Sequence, residues 1–168
     1  MIDVTGTEKM IPCLWFDTEA EAAARFYTSV FKNARIQRTT YYGKEGFEVH
    51  GRPEGSVLMV EFEIEGKLFS ALNGGPQHKI SPAVSFQIPC ETQEEIDYYW
   101  DRLADGGEIQ QCGWVTDRFG VSWQIFPGCI VTMLSDPDEA SAGRVMNAML
   151  GMKKLDLAAL QRAQAGST

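Results

Sequence analysis

Residues able to do chemistry are few in this chain, and they are scattered. The two histidines, His50 and His78, stand in His-Gly-Arg-Pro-Glu-Gly and just after Gly-Gly-Pro-Gln. Both contexts read as loops. The four cysteines, Cys13, Cys90, Cys112 and Cys129, never form a Cys-x-x-Cys pair, so a zinc ribbon has no support. Each lies in or beside an apolar strand pattern, where a reduced thiol packs as a small hydrophobe. No Gly-x-Ser-x-Gly elbow or Ser-His-Asp set anchors hydrolase chemistry. Carboxylate pairs such as Glu94-Glu95 fall in the first turn of a helix, where the macrodipole favours negative charge, and so belong to structure.

The most informative stretch runs from Gly113 to Pro127. It reads as two strands joined by Asp117-Arg118-Phe119-Gly120, and Asp-x-x-Gly fits a type I turn. Period-two alternation places Ser122, Gln124 and Phe126 on one face of the second strand, with Trp123 and Ile125 on the other. Trp114 and Cys112 share a face of the preceding strand, which can be either one.

Two similar runs of elements must position these residues. In the first, Met10 to Phe16 is a short apolar strand. Thr18 with Glu21 has capping-box spacing, and Glu19 to Phe31 follows as a helix with Ala22, Phe26, Val30 and Phe31 near helical spacing. Strands are expected over Ala34 to Tyr42, Val57 to Glu65 and Lys67 to Leu72, with a tight hairpin at Glu65-Gly66 and a stop at Asn73-Gly74-Gly75-Pro76. In the second, Ala83 to Pro89 is a strand and Thr92 with Glu95 makes another capping box. Ile96, Tyr99, Trp100 and Leu103 then mark one helix face, which Asp105-Gly106-Gly107 ends. Strands are expected at about 108 to 115 and 121 to 126, with Ile130 to Leu134 as a further short strand-like piece. The same order twice implies internal duplication.

From Asp136 onward the pattern changes. Asp136-Pro137-Asp138 opens a helix carrying Val145, Met146, Met149 and Leu150; Gly151 interrupts it, and Asp156 caps a last turn with Leu157 and Leu160. Methionines at 146, 149 and 152 suit an adaptable contact surface, either on the chain's own sheet or on a partner subunit.

The bulk properties exclude several roles. With 15 basic and 23 acidic residues the formal charge is -8, which repels phosphate backbones and anionic lipid, so no nucleic acid and no membrane partner is expected. No basic-then-apolar leader is seen and no apolar run nears about 18 residues, so a cytoplasmic protein is expected. At this length one domain is expected, able to fold without metal or disulfide.

Taken together, Ile11-Pro12-Cys13-Leu14-Trp15-Phe16-Asp17, Phe26-Tyr27, Phe31, Phe69 to Pro76, Ser85-Phe86, Gly113-Trp114 through Pro127, and Arg144 to Leu150 with Met152-Lys153-Lys154 resemble one family. It is the PhnB-like branch of the vicinal-oxygen-chelate superfamily (glyoxalase, bleomycin-resistance and dioxygenase proteins), which carries the label "3-demethylubiquinone-9 3-methyltransferase". The resemblance implies an α+β fold of tandem βαβββ modules forming a half-barrel cup. The first module would span 10–80, the second 81–135, and a C-terminal helical tail 136–165, all within a single domain. It also implies a homodimer.

In metal-using members of that superfamily the cup carries His and Glu ligands. Here the first strand offers Met10, Ile11 and Pro12 near that position, the strand opening the second module offers Pro82 and Ala83, and the last strand offers Gln124. No metal set is therefore expected. Gly74-Gly75-Pro76 and Gly106-Gly107 end elements and do not open a helix after a strand, so no adenosylmethionine loop is visible, and no cofactor is expected.

The pocket candidates are Ser70, Asn73, Ser85, Trp114, Ser122, Gln124 and Phe126: aromatic walls with a few neutral hydrogen-bonding groups, suited to a small, flat, partly apolar organic ligand, which the resemblance implies is aromatic or quinone-like. The catalytic residues are unknown. Two alternatives stand beside this binding role. One is an enzyme of the methyltransferase label. The other is a divalent-metal glyoxalase- or dioxygenase-type enzyme using His50 or His78.

Overall fold

A computed structural model describes residues 9–166. The chain divides into two compact units at the Ile80–Ser81 boundary.

The first unit begins with β1 (Cys13–Phe16) and α1 (Ala20–Val30), continues through β2 (Ala34–Tyr41) and the single-turn α2 (Phe47–His50), and ends with β3 (Val57–Ile64) and β4 (Lys67–Asn73). Its sheet has the order β1-β4-β3-β2, with β1 parallel to β4 and the other pairs antiparallel. β1 is shorter than the expected strand from Met10. Pro12 has no N–H to give a ladder, and it joins only through its carbonyl, which accepts from Ser70 N. Glu65 and Gly66 both have positive φ, as the expected tight hairpin between β3 and β4 requires.

α1 forms where alanines dominate, but the buried face is not the one read from the sequence. Ala20, Ala23, Ala24, Tyr27 and Val30 are buried, whereas Ala22 is exposed and Phe26 only half-buried. Tyr27 stacks on Phe62 of β3, which stacks on Phe69 of β4. The expected cap at Thr18 is also absent. Ala20 N instead donates to Asn73 Oδ1 at 2.8 Å, so the helix start is held by the end of β4.

The second unit repeats the plan. β5 (Ser85–Cys90) and α3 (Gln93–Leu103) are followed by β6 (Glu108–Ile109), β7 (Trp114–Thr116) and β8 (Ser122–Pro127). The sheet order is β5-β8-β7-β6, again with the first pair parallel. α3 is capped as its sequence signals: Thr92 Oγ1 accepts from Glu95 N, and the Glu95 carboxylate returns to Glu91 N. Ile96, Tyr99, Trp100 and Leu103 are all buried. The expected strand 108–115 is two strands. Cys112 and Gly113 take positive φ, which breaks the run, and β6 turns back on β7.

The tail packs on its own unit. Ile130–Leu134 forms the short helix α4, and not a strand, because burying Ile130 and Met133 together needs helical spacing. α5 (Glu139–Leu150) is capped by Asp138 and α6 (Leu157–Ala165) by Asp156. Ile130, Met133, Val145, Leu155 and Leu160 form a small core, against which Phe126, Met149 and Met152 pack. Met146 and Leu150 remain exposed. Among the described residues, no helix is long and apolar enough to cross a membrane.

Candidate functional site

Strand alternation gives each sheet one face on which the long helix of its unit packs and an opposite face without that helix, which in the second unit meets the tail core at Phe126. In the second unit Phe86, Ile88, Val115, Trp123 and Ile125 belong to the face on which α3 packs. The opposite face carries two adjoining rungs. Gln87, Gln124 and Trp114 are register partners across β5, β8 and β7, and Ser85, Ser122 and Thr116 form the next rung.

These polar side chains are joined. Gln124 Nε2 donates to Ser85 Oγ at 2.7 Å and Gln87 Nε2 to Gln124 Oε1 at 3.4 Å. Gln110 Nε2 donates to Thr116 Oγ1 at 3.0 Å, which lies 3.4 Å from Ser122 Oγ. Phe126 lies on the same face toward the tail, whose core it touches. Ser85, Trp114, Gln124 and Phe126 are half-buried, and Ser122 is fully buried. Gln87 and Thr116 escaped the sequence reading. Gln87 was legible only once the register of β5 was fixed, because that strand starts at Ser85 and so presents Ser85 and Gln87, and not Pro82 and Ala83.

A buried carboxylate fixes the frame of this face. Asp117 Oδ1 accepts from Phe119 N and Val121 N, and Oδ2 accepts from Trp123 Nε1 at 2.8 Å. The expected turn residue thus also anchors the indole under α3. Cys90 lies on that covered side too. Burial, with the nearby Glu95 carboxylate, pushes its thiol up to about 12, so it stays protonated and unreactive at neutral pH.

In the first unit the two residues taken together from sequence part company. Asn73 faces the α1 side, where its Oδ1 caps the helix and its Nδ2 donates to Val57 O. It also lines a cleft of about 270 Å³ with Thr18, Glu21 and Arg52. Both ends of its amide serve the scaffold. Ser70 lies on the helix-free face, 5% exposed, with Oγ 3.5 Å from Pro12 O. Its register partners are Cys13 on β1 and Glu61 on β3, and Glu61 pairs with Arg38 of β2. Cys13 was read from the sequence as a packed thiol, and Glu61 and Arg38 were not singled out. A glutamate alternating with Glu63 on a strand looks like a solvated face until its neighbours are known.

The histidines are held in loops. His50 stacks on Tyr42 and its Nδ1 accepts from Arg52 N, while His78 meets the edge of Trp15. On the faces opposite the long helices, β1 and β4 offer a thiol, a hydroxyl, an indole and two leucines, and β5 and β8 offer hydroxyls, amides, a proline and a phenylalanine. β1 presents Cys13 and Trp15 there, in place of Met10 to Pro12. Neutral oxygens are weak ligands for a transition metal, and among the described residues no three His, Cys, Asp or Glu side chains are placed to hold one. This donor set does not fit a glyoxalase-type metal.

Residues 8–126 match the family model described as 3-demethylubiquinone-9 3-methyltransferase. The PhnB protein from Bacillus cereus is 32% identical, with a TM-score of 0.62, covering 71% of this chain and 98% of its own. Protein PA1353 from Pseudomonas aeruginosa shares the fold at 18% identity and a TM-score of 0.56, covering 72% of this chain and 98% of its own. No curated protein matches the chain. The α4–α6 tail lies beyond the residues that the family model matches. The chain therefore belongs to the 3-demethylubiquinone-9 3-methyltransferase family and is similar to the PhnB protein.

Proposed function

We propose that the protein binds a small, flat organic molecule, aromatic or quinone-like, on the helix-free face of its second sheet, without a transition metal. The observation that carries this reading is the Gln87–Gln124–Ser85 chain. Gln87 donates to Gln124 and Gln124 to Ser85, so the Ser85 hydroxyl keeps its own proton to give. An acceptor oxygen on the ligand, such as a carbonyl, is the matching group. Trp114 beside Gln124 and Phe126 beyond it supply apolar surface for a ring.

Calorimetric titration with the flat ketone 9-fluorenone, against fluorene lacking the oxygen, tests it. The ketone should bind more tightly, and Ser85→Ala should erase the difference. Equal binding of both probes, or of neither, overturns the reading.

The family description supports a second reading, an enzyme acting on a quinone-like aromatic. Titration with S-adenosylmethionine decides it. Saturable binding supports transfer, and no heat at millimolar concentration removes it.

A further inference from the structure

Residues 43–56 connect β2 to β3 and are closed at their base by two backbone bonds, Tyr42 N to Ser56 O and Gly55 N to Tyr42 O, each 2.8 Å. His50 lies within this segment, half-buried. Its ring packs on Tyr42 with centroids 4.5 Å apart and meets Phe47 edge-on. The two ring nitrogens have fixed roles. Nδ1 accepts from Arg52 N at 2.9 Å, so it carries no proton, and Nε2 gives its proton to Glu45 O at 3.1 Å. Gly51, with a φ of 63°, makes the turn that brings the Arg52 amide back onto the ring.

Two neighbours of the ring reach out of the segment. Tyr42 Oη donates to Asn73 O, at the end of β4. Arg52 Nη2 donates to Asp17 O and Oδ1, at 2.8 and 2.6 Å, just ahead of α1. The Arg52 side chain is 19% exposed and walls the cleft shared with Thr18, Glu21, Ser56 and Asn73. The segment is thus a strap that ties the β2–β3 connection to β4 and to the start of α1, and it is folded around a neutral imidazole.

We propose that this strap is gated by pH: a proton taken up at His50 Nδ1 turns the acceptor into a donor facing Arg52 N, and the bond that folds the strap is lost. Arg52 then leaves Asp17, and the cleft beside α1 opens. The ionisable groups around the ring are otherwise engaged. Tyr42 gives its proton to Asn73 O, and Glu45 meets the ring through its backbone carbonyl. The Arg52 guanidinium lies on Asp17, and Lys44 pairs with Glu54 at 3.9 Å. Glu48 is exposed in α2, and Glu21 across the cleft is paired with Arg25. Acid therefore opens the strap, and neutral pH closes it. No residue of the second sheet takes part.

Nuclear magnetic resonance of the full chain tests this, through imidazole nitrogen shifts and amide protection measured against the intrinsic exchange rate at each pH. The comparison runs from about pH 7.5 to about pH 5, an interval in which a free imidazole gains its proton and ordinary carboxylates keep their charge. The His50 ring should pass from the Nε2–H tautomer to the doubly protonated form. Protection of the Arg52 amide should fall roughly tenfold, the worth of one hydrogen bond, while the buried amides of β3 keep theirs. The separate Nη signals of a guanidinium held on Asp17 should merge. His50→Asn offers Arg52 N an oxygen that does not titrate, so its Arg52 amide should stay protected at both pH values. His78→Asn, at the only other histidine of the sequence, should behave as the wild-type chain does. The proposal is overturned by a ring that stays neutral at the lower pH, by Arg52 contacts that survive its protonation, or by the same loss of protection in His50→Asn.

Discussion

Gln124 Nε2 sits 2.7 Å from Ser85 Oγ, which ties β8 to β5 by side chains across a parallel strand pair. Gln124 is only half-buried, so the bond lies where water can replace it. Gln124→Ala should therefore cost less than about 1 kcal/mol and shift Tm by only a few degrees, while weakening ligand binding on that face. Thermal melts alongside titration check this. A large drop in Tm would make Gln124 a scaffold residue.

Asn73 should behave in the opposite way. It caps α1 through Ala20 N and holds Val57 O, so Asn73→Ala loses a helix cap and leaves a strand carbonyl without its donor. The expected cost is about 1–3 kcal/mol, read by denaturant unfolding. Ligand binding on the second sheet should be unaffected.

The tail should loosen in acid. Lys154 Nζ and Gln93 Nε2 donate to Asp97, holding its carboxyl below the usual range. Asp138 N, Gln164 and Ser141 do the same for Asp136, between α5 and α6. A lowered carboxylate contributes stability above its unfolded pKa, and that stability is lost as pH falls through the folded value. Burial disfavours the Lys154 charge, but the hydrogen bonds to Asp97 and Asp101 outweigh it and raise that pKa above normal. The lysine contribution is full below its unfolded pKa and fades as pH rises through the folded one. The clasp is thus firmest between the carboxylate and lysine ranges. The protection of the α5 and α6 amides, measured against their intrinsic exchange rate at each pH, should fall on acidification toward about pH 3. Lys154→Met should lower that protection at neutral pH and add little in acid.

Three of the thiols, those of Cys13, Cys129 and Cys90, should separate cleanly under native labelling at neutral pH. Cys13 and Cys129 are exposed and should react with a maleimide, whereas Cys90 is buried with its thiol raised to about 12. Cys90 should react only after unfolding. Mass spectrometry of labelled peptides gives the answer, and early labelling of Cys90 would contradict the packing of β5 against α3.

The parts of the fold legible in the sequence were the local ones. Thr92 and Glu95, the Ile96–Leu103 face, the Glu65-Gly66 hairpin, the Asp117–Gly120 turn and the caps at Asp138 and Asp156 are each signalled within a few residues. Long-range features were hidden. The cap of α1 comes from Asn73, on another strand, and no local spacing announces it. Ile130–Leu134 is too short for its period to separate helix from strand. The partner of Glu61 lies across a register shift between Ile36 and Arg38, so counting along either strand does not bring the two together. In the candidate site the alternation of β8 was legible, because period two needs no partner. The start of β5 was not, and with it went Gln87.

The second sheet, on the reading proposed above, is built to hold an organic ligand and not a metal. Elemental analysis of the purified chain after dialysis against zinc, manganese and nickel salts tests it most directly. The donor set of Ser85, Gln87, Ser122 and Gln124 predicts only trace metal, unchanged by Gln124→Ala. One equivalent of tightly held metal per chain, lost in that variant, would make the second sheet a metal site instead.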